Sequence, residues 1–493
     1  MPLSCLILAV AGLASPPQSA APKAAAPEQR RPIEEAAAAA RKARAAGDFE
    51  SARRLYLEAL KIDPRSGVLA LELGETCLDA GDAAAAEAVL SRLVAMAPDR
   101  AAPRRALARA LLALGQPAAA LEQARTAATI EPKNVDGMVL LGFSLVASGH
   151  PEDAIAVFRR ALALRPQDRD AHGGLAISYS ALSDPRAAAE FETVLAKKPE
   201  ARYHFQYAEY LWKVRDVDGG NLQMEKALEA ARGDALLLEA YGMQLFEQGK
   251  FPEAARRLKE ARAAGRTDYE LVYQLGSSEL ENSHFEEAER TLREAIAAEP
   301  GRAEARHRLG LLLLLVGKPD AAREELTRVI EIDPSSGAAR LDLARADDAL
   351  GNPDAAEAGY RKALELSPDL ARARYLLAVL LGKRGRAEES KKEMALYQAA
   401  YDREQSGRQA ATSLRAEINL GWVELKAKRY DKALAQFERH PDDPEALRGA
   451  AEALSRLGRR REAISTLERA LVLKPDDRGI AWRLREERRK AAG

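Results

Sequence analysis

Prolines recur at Pro64, Pro98, Pro132 and Pro166, each 34 residues after the last, and the same interval returns at Pro300, Pro334 and Pro368. A strict period of this length means that one supersecondary unit is copied along the chain, each copy burying the face its neighbour leaves open. Most folds built around a single core are thereby excluded. Within every copy one place is always small: Ala40, Gly74, Ala108, Gly142, Ala176, Ala208, Gly242, Gly276, Gly310, Ala344, Ala378, Gly421 and Ala451. A second small place follows in most copies, as Ala52, Ala86, Ala120, Ala154, Ala254, Ala288, Ala322, Ala356 and Ala463. Large side chains at both places would hold two antiparallel helices apart.

The copy itself reads as two amphipathic helices. From Val135 to Pro166, the first helix runs to about Ser148, Gly149 supplies a left-handed turn residue, Pro151 opens the second helix and Pro166 follows its end. Leu141, Leu145, Ile155 and Phe158 recur at helical spacing. The pattern resembles the tetratricopeptide repeat family, whose units carry two small residues, then an aromatic or apolar residue, an alanine and a proline in fixed order. Gly142, Ala154, Phe158, Ala161 and Pro166 fill those places, as do Ala344, Ala356, Tyr360, Ala363 and Pro368. The resemblance extends over about thirteen units, from Ile33 to Asp476. It implies an all-α, right-handed superhelix of helix pairs whose first helices line a concave groove, a surface the family uses to bind peptides or proteins.

In this frame residues 33–402 hold repeats one to eleven and 414–476 hold the last two, with a capping helix and tail over 477–493 that includes Arg478 to Lys490. Units five and six are compressed around Asp184 and Pro199, and Gly219-Gly220-Asn221 are expected to shorten the second helix of unit six. The interval from Ala378 to Gly421 is 43 residues instead of 34, so residues 403–413 read as an insertion, a longer helix plus loop acting as a hinge. The second helix of the next unit is cut short by His440-Pro441-Asp442-Asp443-Pro444.

Upstream of the repeats, Leu6 to Ala14 is a short apolar run ending in small residues, and 15–32 is rich in Ala and Pro. These read as a signal peptide over 1–14 and a flexible spacer, with export to a periplasm or bacterial-type cell envelope as the expectation and a cytoplasmic protein as the alternative. The run falls short of the roughly 20 residues that cross a bilayer. It also lacks a basic front, and Ser4-Cys5 lacks the apolar run that precedes a lipidation site.

Charge and composition narrow the function. Lys+Arg 75 balance Asp+Glu 75, which removes the general electrostatic case for nucleic acid or an anionic membrane as the main partner. Basic clusters at Arg41, Arg44, Arg105 and Arg109, and at Arg483, Arg485, Arg488, Arg489 and Lys490, read as solvated faces. Two cysteines, Cys5 and Cys77, argue against a disulfide scaffold or a thiolate metal site. The histidines, His150, His172, His204, His284, His307 and His440, are scattered without metal-ligand spacing. Gly242 to Lys250 and Gly310 to Lys318 have the wrong glycine spacing for a phosphate loop, and Asp216 to Asn221 has its glycine too early for a calcium loop. The expectation is a protein without catalytic residues, cofactor or metal.

The repeat frame instead picks out side chains facing the groove. Phe143, Ile177, Phe205, Glu209, Trp212, Glu239, Met243, Phe246, Tyr273 and Leu280 are the candidates, accompanied by Val139, Val146, Leu236, Leu311 and Leu314. An apolar stripe of this extent on an exposed face marks a partner site, and aromatic residues fill pockets at low entropic cost; for Phe205 and Trp212 the alternative is that a tightly wound superhelix buries them against its own adjacent units. Glu209, Glu239, Glu247, Glu270 and Glu281 beside it favour a partner with apolar anchors and some basic residues. The carboxylate-clamp and asparagine-ladder arrangements known in the family are not met: Leu140 stands where the clamp needs asparagine, and Asn419 is alone at the ladder place. The leading reading is a scaffold that holds an extended protein segment during assembly of a complex. Alternatives are a cell-envelope accessory for polysaccharide synthesis or export, with aromatics stacking on sugars, and a cytoplasmic regulator.

Overall fold

The computed structural model describes residues 27–492, so the expected signal peptide, most of the spacer and Cys5 lie outside the described residues. It divides into two units, residues up to Gly220 and residues from Asn221 onward. The first unit contains α1 (Pro27–Ala45), α2 (Phe49–Ile62), α3 (Gly67–Asp79), α4 (Ala83–Met96), α5 (Ala101–Ala113), α6 (Pro117–Ile130), α7 (Val135–Ala147), α8 (Pro151–Leu164), α9 (Arg169–Ala181), α10 (Arg186–Lys197) and α11 (Ala201–Lys213), and α12 (Val217–Ala230) carries the division. The second continues with α13 (Ala235–Glu247), α14 (Phe251–Ala263), α15 (Tyr269–Glu281), α16 (Phe285–Ala298), α17 (Ala303–Leu315), α18 (Pro319–Ile332), α19 (Gly337–Ala349), α20 (Pro353–Leu366), α21 (Ala371–Lys383), α22 (Ala387–Lys426), α23 (Tyr430–Phe437), α24 (Pro444–Arg456), α25 (Arg460–Leu473) and α26 (Arg478–Ala492). Each unit is all-α among the described residues, a stack of helix hairpins in sequence order. The first helix opens at Pro27, so it enters the stretch expected as spacer.

Local chemistry sets each hairpin. Asn134 accepts from the Gly137 amide at 2.8 Å and caps α7, and Pro151 occupies the first turn of α8, where a missing N–H leaves no bond unmade. Between them Gly149 has φ 78°, which lets the chain reverse while the His150 amide donates to the Leu145 carbonyl at 2.9 Å. The equivalent turn after α11 places Arg215 at φ 68°, a conformation that a side chain makes unfavourable by roughly 1–2 kcal/mol.

Packing explains the small places. Ala40, Ala52, Ala86, Ala108 and Ala120 in the first unit, and Ala254, Ala288, Ala322, Ala344 and Ala356 in the second, are fully buried where paired helices touch. The large residue of each hairpin, among them Tyr56, Phe158, Tyr360 and Phe437, is buried as completely. Phe158 lies over Gly142 and Gly174: a Cβ on either glycine would sit 2.4 Å or 2.1 Å from the ring.

Three expectations about irregular segments are answered here. The glycines before Asn221 do not shorten the second helix of unit six: α12 runs its full 14 residues, because the Gly219 amide donates to Asp216 Oδ1 at 3.0 Å and Gly220 leaves room for the Trp212 indole. The expected helix plus loop over 403–413 is a single uninterrupted helix, α22, 40 residues long, which serves as second helix of one hairpin and first helix of the next. The short second helix before His440 is α23, 8 residues. At the end, α26 buries Ile480, Trp482 and Leu484, and Arg483 joins Glu452 on α24.

Candidate binding surface

The first helices carry the ten candidate residues, and the structure sorts them by burial. In the first unit Phe143 on α7, Ile177 on α9, and Phe205 and Trp212 on α11 are half-buried, while Glu209 is exposed. In the second unit Met243 and Phe246 on α13 and Tyr273 on α15 are half-buried. Leu280 is 5% exposed and Glu239 7%, so these two are built into the stack.

Several half-buried aromatics have one face committed. Phe143 meets Phe158 edge to face, ring centroids 5.3 Å apart, and Phe246 meets Phe251 in the same manner at 5.3 Å. Tyr273 lies parallel to Tyr269 at 5.9 Å, and Trp212 rests on the backbone at Gly220. The other face of each ring contributes to the residual exposure along the first helices. Phe205 and Ile177 carry no such ring contact among the described residues.

Electrostatics change more than burial does. Arg41 pairs with Glu72 at 2.8 Å, Arg44 with Glu75 and Asp79 at 3.1 and 2.7 Å, and Arg105 with Glu131 at 2.5 Å, so most of the early basic cluster is neutralised by carboxylates of a neighbouring helix. The acidic stripe shrinks in the same way: Glu239 takes Arg266 at 2.7 Å, Glu270 takes Arg302 at 3.4 Å and Glu281 takes Arg308 at 2.9 Å. Glu209 and Glu247 remain without an ion pair among the described residues. Glu209 is open to solvent on one side, yet the protein around it pushes its carboxyl above the usual carboxylate range. Sequence reasoning missed these pairs because each partner lies about a repeat away; the recurring spacing of Arg and Glu at that interval was the available signal.

Three histidines are tied to carboxylates. His172 bonds Glu190 at 2.6 Å and His307 bonds Asp342 at 2.9 Å, each joining two helices, and His440 in the α23–α24 turn bonds Glu417 on α22 at 3.1 Å. Burial pushes the Cys77 thiol up to about 11, where it is unreactive. Among the described residues no group of His, Cys, Asp or Glu is arranged to hold a metal ion, and no helix is long and apolar enough to cross a membrane.

The chain matches models described as tetratricopeptide repeat at residues 43–110, 111–176, 145–205 and 424–487, at 273–337 and at 338–370, together more than half of its length. No curated protein matches it. Solved structures to which it is similar include YrrB, described as a TPR protein with an unusual peptide-binding site, 23% identical with a TM-score of 0.34 over 37% of this chain and 95% of that one. MamA from Desulfovibrio magneticus is 21% identical with a TM-score of 0.32 over 35% and 96%. The C-terminal part of a TPR repeat-containing protein from Cytophaga hutchinsonii is 18% identical with a TM-score of 0.41 over 48% and 97%.

Proposed function

Because the chain belongs to the tetratricopeptide-repeat family, we propose that it is a non-catalytic scaffold that binds an extended protein or peptide segment along its first helices, bringing partners together in a complex. One observation carries this reading: successive first helices present large apolar side chains, Phe143, Ile177 and Phe205 in the first unit and Met243, Phe246 and Tyr273 in the second, that remain half open after every hairpin has packed. Open apolar surface at repeated places suits side-chain anchors of an extended ligand. Basic residues in that ligand would meet Glu209 or Glu247, the two stripe carboxylates left unpaired among the described residues.

Display selection of peptides against the full chain tests this. The wild type should enrich sequences with spaced apolar anchors, and Ile177→Ala/Phe205→Ala should weaken the selected peptides by about tenfold or more, with the far-UV spectrum and melting curve retained. Binding unchanged in a folded double variant would refute the reading. Export is part of the same proposal, supported by the Leu6 to Ala14 run. Mass spectrometry of the native amino terminus decides it, since an intact Met1 would return the protein to the cytoplasm.

A further inference from the structure

In the second unit a cleft lies among α14, α15 and α16, lined by residues other than the ten groove candidates. Its two lobes have volumes of about 600 and 440 Å³ and share Lys259 and Ala263. The larger is walled by α14 and by Asn282 and His284 at the α15–α16 turn; the smaller reaches Leu275 and Glu279 on α15 and Arg290 and Thr291 on α16. The floor is apolar, from Pro252, Ala255 and Ala263, with Leu275 buried beneath it.

The charges around it do not balance. Glu260 is held by Arg257 at 3.0 Å; Glu279, almost wholly buried, by Lys259 at 2.9 Å and the Thr291 hydroxyl at 2.8 Å; and Arg262 is occupied by Glu294 at 2.7 Å. Arg256 in one lobe and Arg290 in the other have neither an ion pair nor a hydrogen bond among the described residues. Every lining carboxylate is therefore satisfied, and two guanidiniums remain beside an apolar floor.

We propose that this cleft binds a short acidic peptide segment, an apolar side chain of the segment lying on the Pro252–Ala255–Ala263 floor and its carboxylates pairing with Arg256 and Arg290. Guanidinium and carboxylate match in geometry as well as charge. A nucleic-acid strand fits less well, because two unpaired cations cannot match a run of evenly spaced phosphates, whereas a peptide can place discrete charges on either side of one apolar residue. The site uses residues of α14 to α16 that take no part in the first-helix stripe, so it stands or falls independently of the groove.

The test is fluorescence anisotropy with the full chain and a labelled peptide in which a central leucine is flanked on each side by glutamates. Saturable binding is expected, weakened by about tenfold or more in Arg256→Ser/Arg290→Ser. The charge-matched pair Arg232→Ser/Arg328→Ser, at exposed sites elsewhere in the same unit, should bind like wild type. Ala263→Trp, which fills the shared wall without altering charge, should abolish binding, and a peptide with asparagine in place of leucine should bind more weakly. All these substitutions are on exposed side chains, and circular dichroism confirms that each variant is folded. The proposal is overturned by no saturation up to about 1 mM peptide, by equal loss in the charge-matched pair, by retained binding in Ala263→Trp, or by a single-stranded oligothymidylate that competes for the same residues.

Discussion

At the scale of single residues, the fold depends on what faces the buried ring of each hairpin. Phe158 is sandwiched by Gly142 and Gly174, and Phe437 in the second unit by Gly421 and Gly449, where added Cβ atoms would sit 2.6 and 2.4 Å from the ring. Where leucine replaces the ring, as at Leu292, the following copy carries Arg308 at the place of Gly174. The second glycine, Gly174 or Gly449, thus accompanies the phenylalanine, whereas the first place is glycine opposite leucine as well, as at Gly276 over Leu292. Gly174→Ala would gain about 1 kcal/mol of helix propensity, but overpacking against an immobile ring costs about 1–3 kcal/mol. Denaturant unfolding should show Gly174→Ala less stable than wild type, and Phe158→Leu added to it should recover much of the loss. A more stable single variant would disprove the packing argument.

At the scale of elements, α22 differs from the other helices. Its ends pack in two consecutive hairpins, but every described side chain from Tyr401 to Ser413 is exposed, and apart from the helix's own neighbouring backbone nothing lies within 4 Å of where a Cβ on Gly407 would be. A helical stretch this exposed relies mainly on propensity and on its own hydrogen bonds, and the glycine weakens it by about 1 kcal/mol relative to alanine. Hydrogen exchange should therefore be fastest in α22 around Gly407, slower toward Ile418, which is buried. Gly407→Ala should slow that exchange several-fold, about what 1 kcal/mol supplies, and leave the melting of the hairpins unchanged. Uniform protection along α22 would mean that this stretch is covered by something other than solvent.

Across the whole molecule, a neutral chain is held partly by carboxylates whose folded environment favours the charged form. Asp342 is the buried example: burial alone would raise its carboxyl, but the hydrogen bonds from His307 at 2.9 Å and Arg345 at 2.7 Å outweigh that and hold it below the usual range. Glu357, bonded by Arg384 at 2.8 Å and Arg386 at 2.6 Å, is lowered as well. A carboxyl lowered by folding takes up its proton more readily in the unfolded chain. Its contribution is complete above the unfolded value near about 4 and is lost as the pH falls toward the folded one. Melting temperature should accordingly drop on acidification below about pH 4, and Asp342→Asn should lower it at neutral pH while flattening its acid dependence. A slope identical to wild type would show that this carboxylate contributes nothing to acid loosening.

The hairpin array, its small contact places and its turns were legible in the sequence, because each rests on relations within one copy: a proline that cannot continue a helix, a glycine that permits positive φ, an alanine where two helices touch. Position in a copy also fixes which face of a helix a residue occupies, and most of the apolar candidates, Phe143, Ile177, Phe205, Met243, Phe246 and Tyr273, are half-buried on first helices. Which charges are free was decided only by tertiary structure. The partners of Arg41, Arg44, Glu239, Glu270 and Glu281 lie on a neighbouring helix or the turn beside it, about a repeat away in sequence, so only the stacking of copies could reveal that they neutralise one another and leave Glu209, Glu247, Arg256 and Arg290 unpaired among the described residues. Tertiary structure likewise decided that Leu280 is core, that Gly220 serves Trp212 instead of breaking α12, and that α22 runs unbroken between two hairpins. Each of these depends on the space that a neighbouring element leaves or fills, which no single copy of the repeat encodes.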